Sequence, residues 1–110
     1  MSYQDTRQLQ QTASVATGAR ASHVGLVAEM TRTYQATVVG TGAVSATVVV
    51  EVSNDGEYWL TLGTITLSGT TSDSDGFASN AAWAFVRSDT TAISGTGATV
   101  TVTEGYYDGS

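Results

Sequence analysis

The chain has 110 residues and a net charge of −6, with four arginines and no lysine, cysteine or proline. That charge disfavours a phosphate-backbone ligand. The missing cysteine excludes a disulfide framework and a thiolate metal site. No apolar run approaches the ~18 residues that a membrane helix needs.

The length fits one domain, burying roughly 65% of the surface its unfolded chain exposes. The start of the chain shows no basic region followed by an apolar block, so no secretory signal is expected. Abundant glycine, threonine and serine suit many β-strands joined by small turns.

Residues 1–22 carry few apolar side chains, with only Leu9 and Val15 large and apolar after Gln8. A polar segment of this kind reads either as a flexible terminus or as an N-terminal arm that orders against a partner. The expected division is therefore an arm over 1–22 and a β domain over 23–110. From Ser22 strand signals begin: Val24 and Leu26 alternate with His23 and Gly25, and Tyr34, Ala36 and Val38 alternate with Thr33, Gln35 and Thr37. Gly40-Thr-Gly42 reads as a turn.

The run from Val44 to Leu62 is the organising hairpin. Ala46, Val48, Val50 and Val52 share one face, Asn54-Asp55-Gly56 supplies the turn, and Trp59 opens the return strand. Gly63 marks a bulge or bend. Ile65 and Leu67 point inward, residues 69–76 read as a loop, and Phe77 starts a short strand. Trp83, Phe85 and Arg87 share a face, and Ala98, Val100 and Val102 form the last inward row before a fraying tail from Glu104. Trp59, Trp83 and Phe85 are the expected core anchors. Six to eight short strands without helical periodicity predict an all-β antiparallel sandwich, jelly-roll-like in preference to immunoglobulin-like, with an extended N-terminal arm.

Candidate chemistry is sparse. His23 is the one histidine, and a Ser-His-Asp hydrolase would need it buried between a nucleophile and a carboxylate; its place beside the polar terminus suggests a surface or arm residue. Asp73-Ser-Asp-Gly76 has a loose calcium-loop look but lacks the twelve-residue pattern. Asp55, Glu57, Asp73, Asp75 and Asp89 fall in turns or at strand ends rather than as a glycosidase pair. No helix follows Gly95-Thr-Gly97, so it is no phosphate loop. Arg87 can stack on a ring or pair with a carboxylate, and Tyr58, Tyr106 and Tyr107 are candidates for a sugar platform. No enzyme activity, cofactor or metal is expected.

Ser53-Asn-Asp-Gly56 followed by Trp59, then Gly63-Thr-Ile-Thr-Leu-Ser-Gly69, Ser74-Asp-Gly-Phe77, Trp83-Ala-Phe-Val-Arg87 and the stretch Ala92 to Val102 resemble small β-sandwich virion proteins of tailed bacteriophages. The head decoration, or cement, proteins are the closest in kind. The SxDGxxW…WxxVR arrangement is also similar to discoidin-type jelly rolls. The resemblance spans residues 34–104 and brings no catalytic residues. It implies a structural protein on the outer capsid surface, assembled in the host cytoplasm, that bridges neighbouring major capsid protein subunits and forms a homo-oligomer, a trimer, with no nucleic-acid or membrane partner. Leu9, Val15, His23 and Leu26 are the expected contacts to shell or neighbouring subunit. The alternative is a tail, neck or fibre component with a carbohydrate-binding sandwich.

Overall fold

Strand periodicity runs further than the sequence reading allowed. A computed structural model describes residues 3–23 and 31–108; Val24 and Leu26 lie outside the described residues. Among the described residues, six strands form one antiparallel sheet: β1 (Tyr3–Thr12), β2 (Ala16–Thr17), β3 (Ala21–Ser22), β4 (Thr31–Ser53), β5 (Leu60–Ser79) and β6 (Phe85–Asp108). The sheet order is β1-β6-β4-β5, with β2 and β3 also on β6. Every even-numbered residue of β4 from Arg32 to Val38 and from Val44 to Val52 is buried, so one face stays inward along the strand.

A straight strand of 24 residues would reach about 80 Å, yet the longest dimension of the molecule is 42 Å. The three long strands therefore fold over near their middles. A row of left-handed residues marks the crease: Gly42 in β4 (φ 80°), Thr71 in β5 (φ 102°), and Gly95 and Gly97 in β6 (φ 121° and 65°). The pairing register slips at the same place, between Val39 and Ala43 against β5 and between Val39 and Ser45 against β6. Bulges with glycine in this conformation bend a sheet sharply.

The crease makes two layers. Layer one holds β1, 99–108 of β6, 31–39 of β4 and 72–79 of β5; layer two holds β2 with β3, 85–94 of β6, 43–53 of β4 and 60–70 of β5. Counting these eight segments in chain order, the layers read 1-8-3-6 and 2-7-4-5. This is the wrapped double ribbon of a jelly roll, so the antiparallel sandwich is as expected and the immunoglobulin-like order is set aside. The layers pack face to face, with the Phe77 ring of layer one over Gly63 of layer two, where a Cβ would lie 2.6 Å from the ring Cζ.

Several expectations are corrected. The described part of the N-terminal segment is no free arm: residues 3–22 run antiparallel along β6, from Tyr3 opposite Asp108 to Ser22 opposite Phe85. A bulge between Gln8 and Gln10 turns both Leu9 and Gln10 inward, each 8% exposed. Buried hydrogen bonds replace apolar bulk here. Gln10 Oε1 accepts from Ser88 Oγ (2.7 Å) and Thr90 Oγ1 (2.9 Å), and its Nε2 donates to the Ala16 carbonyl (2.8 Å).

Residues 69–76 are strand rather than loop, Gly40 to Gly42 bends β4 without ending it, and residues 104–108 continue β6. Trp59, Trp83 and Phe85 are half-buried, not core anchors. The core is the row of valines with Ile65 and Leu67, small side chains that let the layers close, while the three large rings sit towards one end, where Trp83 packs against the core.

Candidate functional site

The inward parity of β6 places a carboxylate in the core. Glu104 follows Val100 and Val102 on the buried face and has no exposed surface. Burial of a bare carboxylate is prohibitive, so its partners define the site. Arg7 Nε, from β1, donates to Glu104 Oε1 at 2.9 Å, and Arg7 Nη2 lies 2.8 Å from the same oxygen without hydrogen-bond geometry, an ionic contact. His23 Nε2 lies 2.7 Å from Glu104 Oε2. The phenols of Tyr34 and Tyr106 lie within electrostatic reach of the same carboxylate.

His23 Nδ1 lies 2.7 Å from the Trp83 carbonyl. A carbonyl and a carboxylate both accept only, so each ring nitrogen faces an acceptor. Burial pushes the Glu104 pKa up; the hydrogen bond and charge of His23, the Tyr34 hydroxyl and Arg7 more than offset it, and the carboxyl stays below its ordinary range. Burial first, then the neighbouring carboxylate, raises the phenol pKa of Tyr34 and of Tyr106. Arg32, 2% exposed, donates from Nη1 to the Ala81 carbonyl (2.9 Å), and its Nε is unpartnered.

This arrangement is a clasp. Arg7 lies in the N-terminal segment and His23 directly follows it, and each grips one oxygen of Glu104. Arg7 Nη1 also donates to the Ser22 carbonyl at 3.0 Å, tying the two ends of that segment together. With both ring nitrogens engaged, His23 has none left for a nucleophile, so the Ser-His-Asp reading of this residue is closed.

A second cluster lies at one end of layer two. Ser53 Oγ accepts from the Asp55 and Gly56 amides (3.2 and 2.9 Å), and Asp55 Oδ1 accepts from the Glu57 and Tyr58 amides, 2.9 Å each, and from Ser53 Oγ at 2.8 Å. Those bonds, Glu57 first and then Tyr58 and Ser53, lower the Asp55 pKa to about 2. The loop presents Tyr58 (77% exposed) and Leu60 (57%) to water. Arg87 stacks over Trp59 at 4.2 Å while bonding Glu51 (2.9 Å), and Arg20 stacks over Phe85 at 5.0 Å.

Asp73 and Asp75 lie on β5. Asp73 Oδ2 accepts the Ser68 amide at 2.9 Å across the Thr71 bulge, a local brace in place of a calcium loop. Among the described residues no three histidines or acids gather as metal ligands. A shallow groove of about 470 Å³, lined by residues such as Gln11, Val39, Thr99 and Thr101, opens on the outer side of layer one near the crease.

Of the expected contact residues, Leu9 and His23 are buried in the fold, Val15 is 60% exposed, and Leu26 lies outside the described residues. Of the expected sugar platform, Tyr58 is exposed and Tyr106 is buried under Arg7, whose guanidinium lies 5.1 Å from its ring; the side chain of Tyr107 lies outside what is described. The clasp was missed, although the alternation Val100, Val102, Glu104 already aimed that carboxylate at the core.

With this fold in hand, similar solved structures can be set beside it. The SPBc2 prophage-derived protein YomS superposes with a TM-score of 0.64 at 10% identity, covering 98% of this chain and 96% of that one. The PBSX exported protein XepA superposes with a TM-score of 0.58 at 10% identity, covering 93% of this chain and 36% of that one, so this chain matches about a third of XepA. At such identity the likeness is one of fold. No family model matches the chain, and no curated protein does.

Proposed function

We propose that this chain is a structural, non-enzymatic protein of a tailed phage that decorates the outer surface of the capsid and stabilises it by bridging neighbouring major capsid protein subunits. The observation that carries this reading is the jelly roll itself, shared over nearly the whole chain with a prophage-derived protein. The sequence motifs that resemble cement proteins support it. The interior adds to it: the buried polar groups are spent on closing the fold, which suits a rigid building block.

The contact differs from a reaching arm. Residues 3–22 are sewn to β6, so the shell is met by exposed positions such as Val15, Tyr58 and Leu60. Several weak contacts of this kind, repeated around a shell, add up through multivalency.

Co-sedimentation with heads that lack the protein tests this reading. Saturable binding at a fixed ratio to the shell protein, with heads then surviving heat better, is the expected result. Absence of binding would overturn it.

One observation favours a second reading, a glycan-binding tail, neck or fibre component: Trp59, Trp83 and Phe85 are half-buried towards the end where Tyr58 stands exposed beside a polar loop. Glycan-array binding lost in Tyr58→Ala, without binding to heads, would favour it. XepA is described as an exported protein, so the culture medium is assayed beside the particles.

A further inference from the structure

Fourteen side chains of this protein are charged, and their distribution over the two outer faces is uneven. Cross-strand partners share a face, so the register sorts them. On the outer side of layer two Glu51 stands opposite Arg87 and Asp89 opposite Val49. On the outer side of layer one, each row across the four strands is uncharged among the described residues. One row runs from Gln11 through Thr101 and Thr37 to Ser74, and its neighbour from Gln8 through Thr103 and Gln35 to Gly76.

We infer that this charge-free face is the contact between two copies of this chain, meeting face to face. A molecule of charge −6 that pairs through its acid-bearing surfaces brings like charges together; this face avoids that. Interface centres are depleted in charge for the same reason.

The polar groups are also prepared for cover. Gln35 Nε2 donates to Ser74 Oγ (2.9 Å), the Thr37 and Ser74 hydroxyls lie 2.8 Å apart, and Ser74 Oγ reaches the Ala36 carbonyl at 3.2 Å. Bonded sideways, they do not become orphans when a partner excludes water. Val39, 53% exposed, lines the groove of about 470 Å³ on this face, an apolar side chain left for a partner to cover. Four strands about 4.8 Å apart and about seven residues long give roughly 900 Å² for the pair, below the ~1,200 Å² of a stable interface, so the association is weak and depends on concentration.

Sedimentation velocity of the full chain over a wide concentration range tests the inference. The mass is expected to rise from 11.3 kDa towards twice that. Thr37→Arg should hold the chain single, while Thr66→Arg, on the outer side of layer two, should not. Circular dichroism and melting check that both variants fold, and Gln35→Arg replaces Thr37→Arg if that variant does not. Mixing Thr37→Arg with Thr37→Asp should restore the pair, because only a face that meets itself brings the two positions together. A single mass at every concentration, association that survives both face variants, no restoration on mixing, or single chains that instead bind a glycan through this face would each overturn it. The test is independent of the capsid reading: a chain that pairs but ignores heads fails that reading alone.

Discussion

His23 Nε2 and Glu104 Oε2 lie 2.7 Å apart in the interior, 81 positions apart in the chain. This contact closes the N-terminal segment onto the last strand. Glu104→Ala would leave the Arg7 charge and the His23 ring facing a space without their carboxylate. Removing one partner of a buried pair costs about 3–5 kcal/mol, with the low end expected here because the Arg7 side chain is 29% exposed and can turn to water. Arg87→Ala, which breaks the more exposed Glu51 pair, should cost about 1 kcal/mol or less. Urea unfolding of the two variants checks the ranking; equal losses would refute the clasp.

Acid should loosen the fold through the same carboxylate. The folded pKa of Glu104 lies below its ordinary value of 4.5, so its stabilising contribution is complete above that pH and fades as pH falls through the folded pKa. Asp55 behaves alike between 3.8 and about 2. Urea midpoints measured from neutral to strongly acid pH should therefore decline below the ordinary carboxylate range. Glu104→Gln should flatten that decline while lowering the plateau. An unchanged acid limb in Glu104→Gln would show that other groups set it.

Removing residues 1–12 should abolish cooperative folding. The deletion strips β1 from β6, takes Leu9 and Gln10 out of the interior and leaves Glu104 without Arg7. A bare strand edge beside a carboxylate that has lost its arginine favours aggregation. A soluble truncated chain with an unchanged melting temperature would contradict the sheet pairing described for this segment.

Gly63→Ala should destabilise by about 1–3 kcal/mol, the usual range for overpacking. The added Cβ would fall 2.6 Å from the Phe77 ring. Phe77→Leu in the same chain should recover part of the loss, and a double-mutant cycle gives the coupling. Strictly additive effects would mean that the two layers do not meet at this pair.

Much of the fold was legible along the chain. Period-two alternation named the inward rows at Val48, Val50, Val100 and Val102, the turn at Asn54-Asp55-Gly56 and the antiparallel sandwich, because a half-buried strand writes its burial into every second residue. What the alternation does not encode is where a polar segment goes. Residues 3–22 carry little apolar surface, and only the tertiary fold supplies Ser88, Thr90 and Glu104 as partners for Gln10 and Arg7. Gly40 to Gly42, read as a turn, proved to form one crease with Gly95 to Gly97, since a left-handed residue permits a bend and its neighbouring strands decide whether the chain reverses or continues. Trp59 and Phe85 sit outside the core for a similar reason: their size marked them for burial, but valine rows close the layers, and the rings found arginines at the end. The sequence by itself determined the inward rows of the apolar strands, because alternation records burial; the pairing of the polar segment, the clasp on Glu104 and the outer face uncharged among the described residues arise only when distant strands are brought into register.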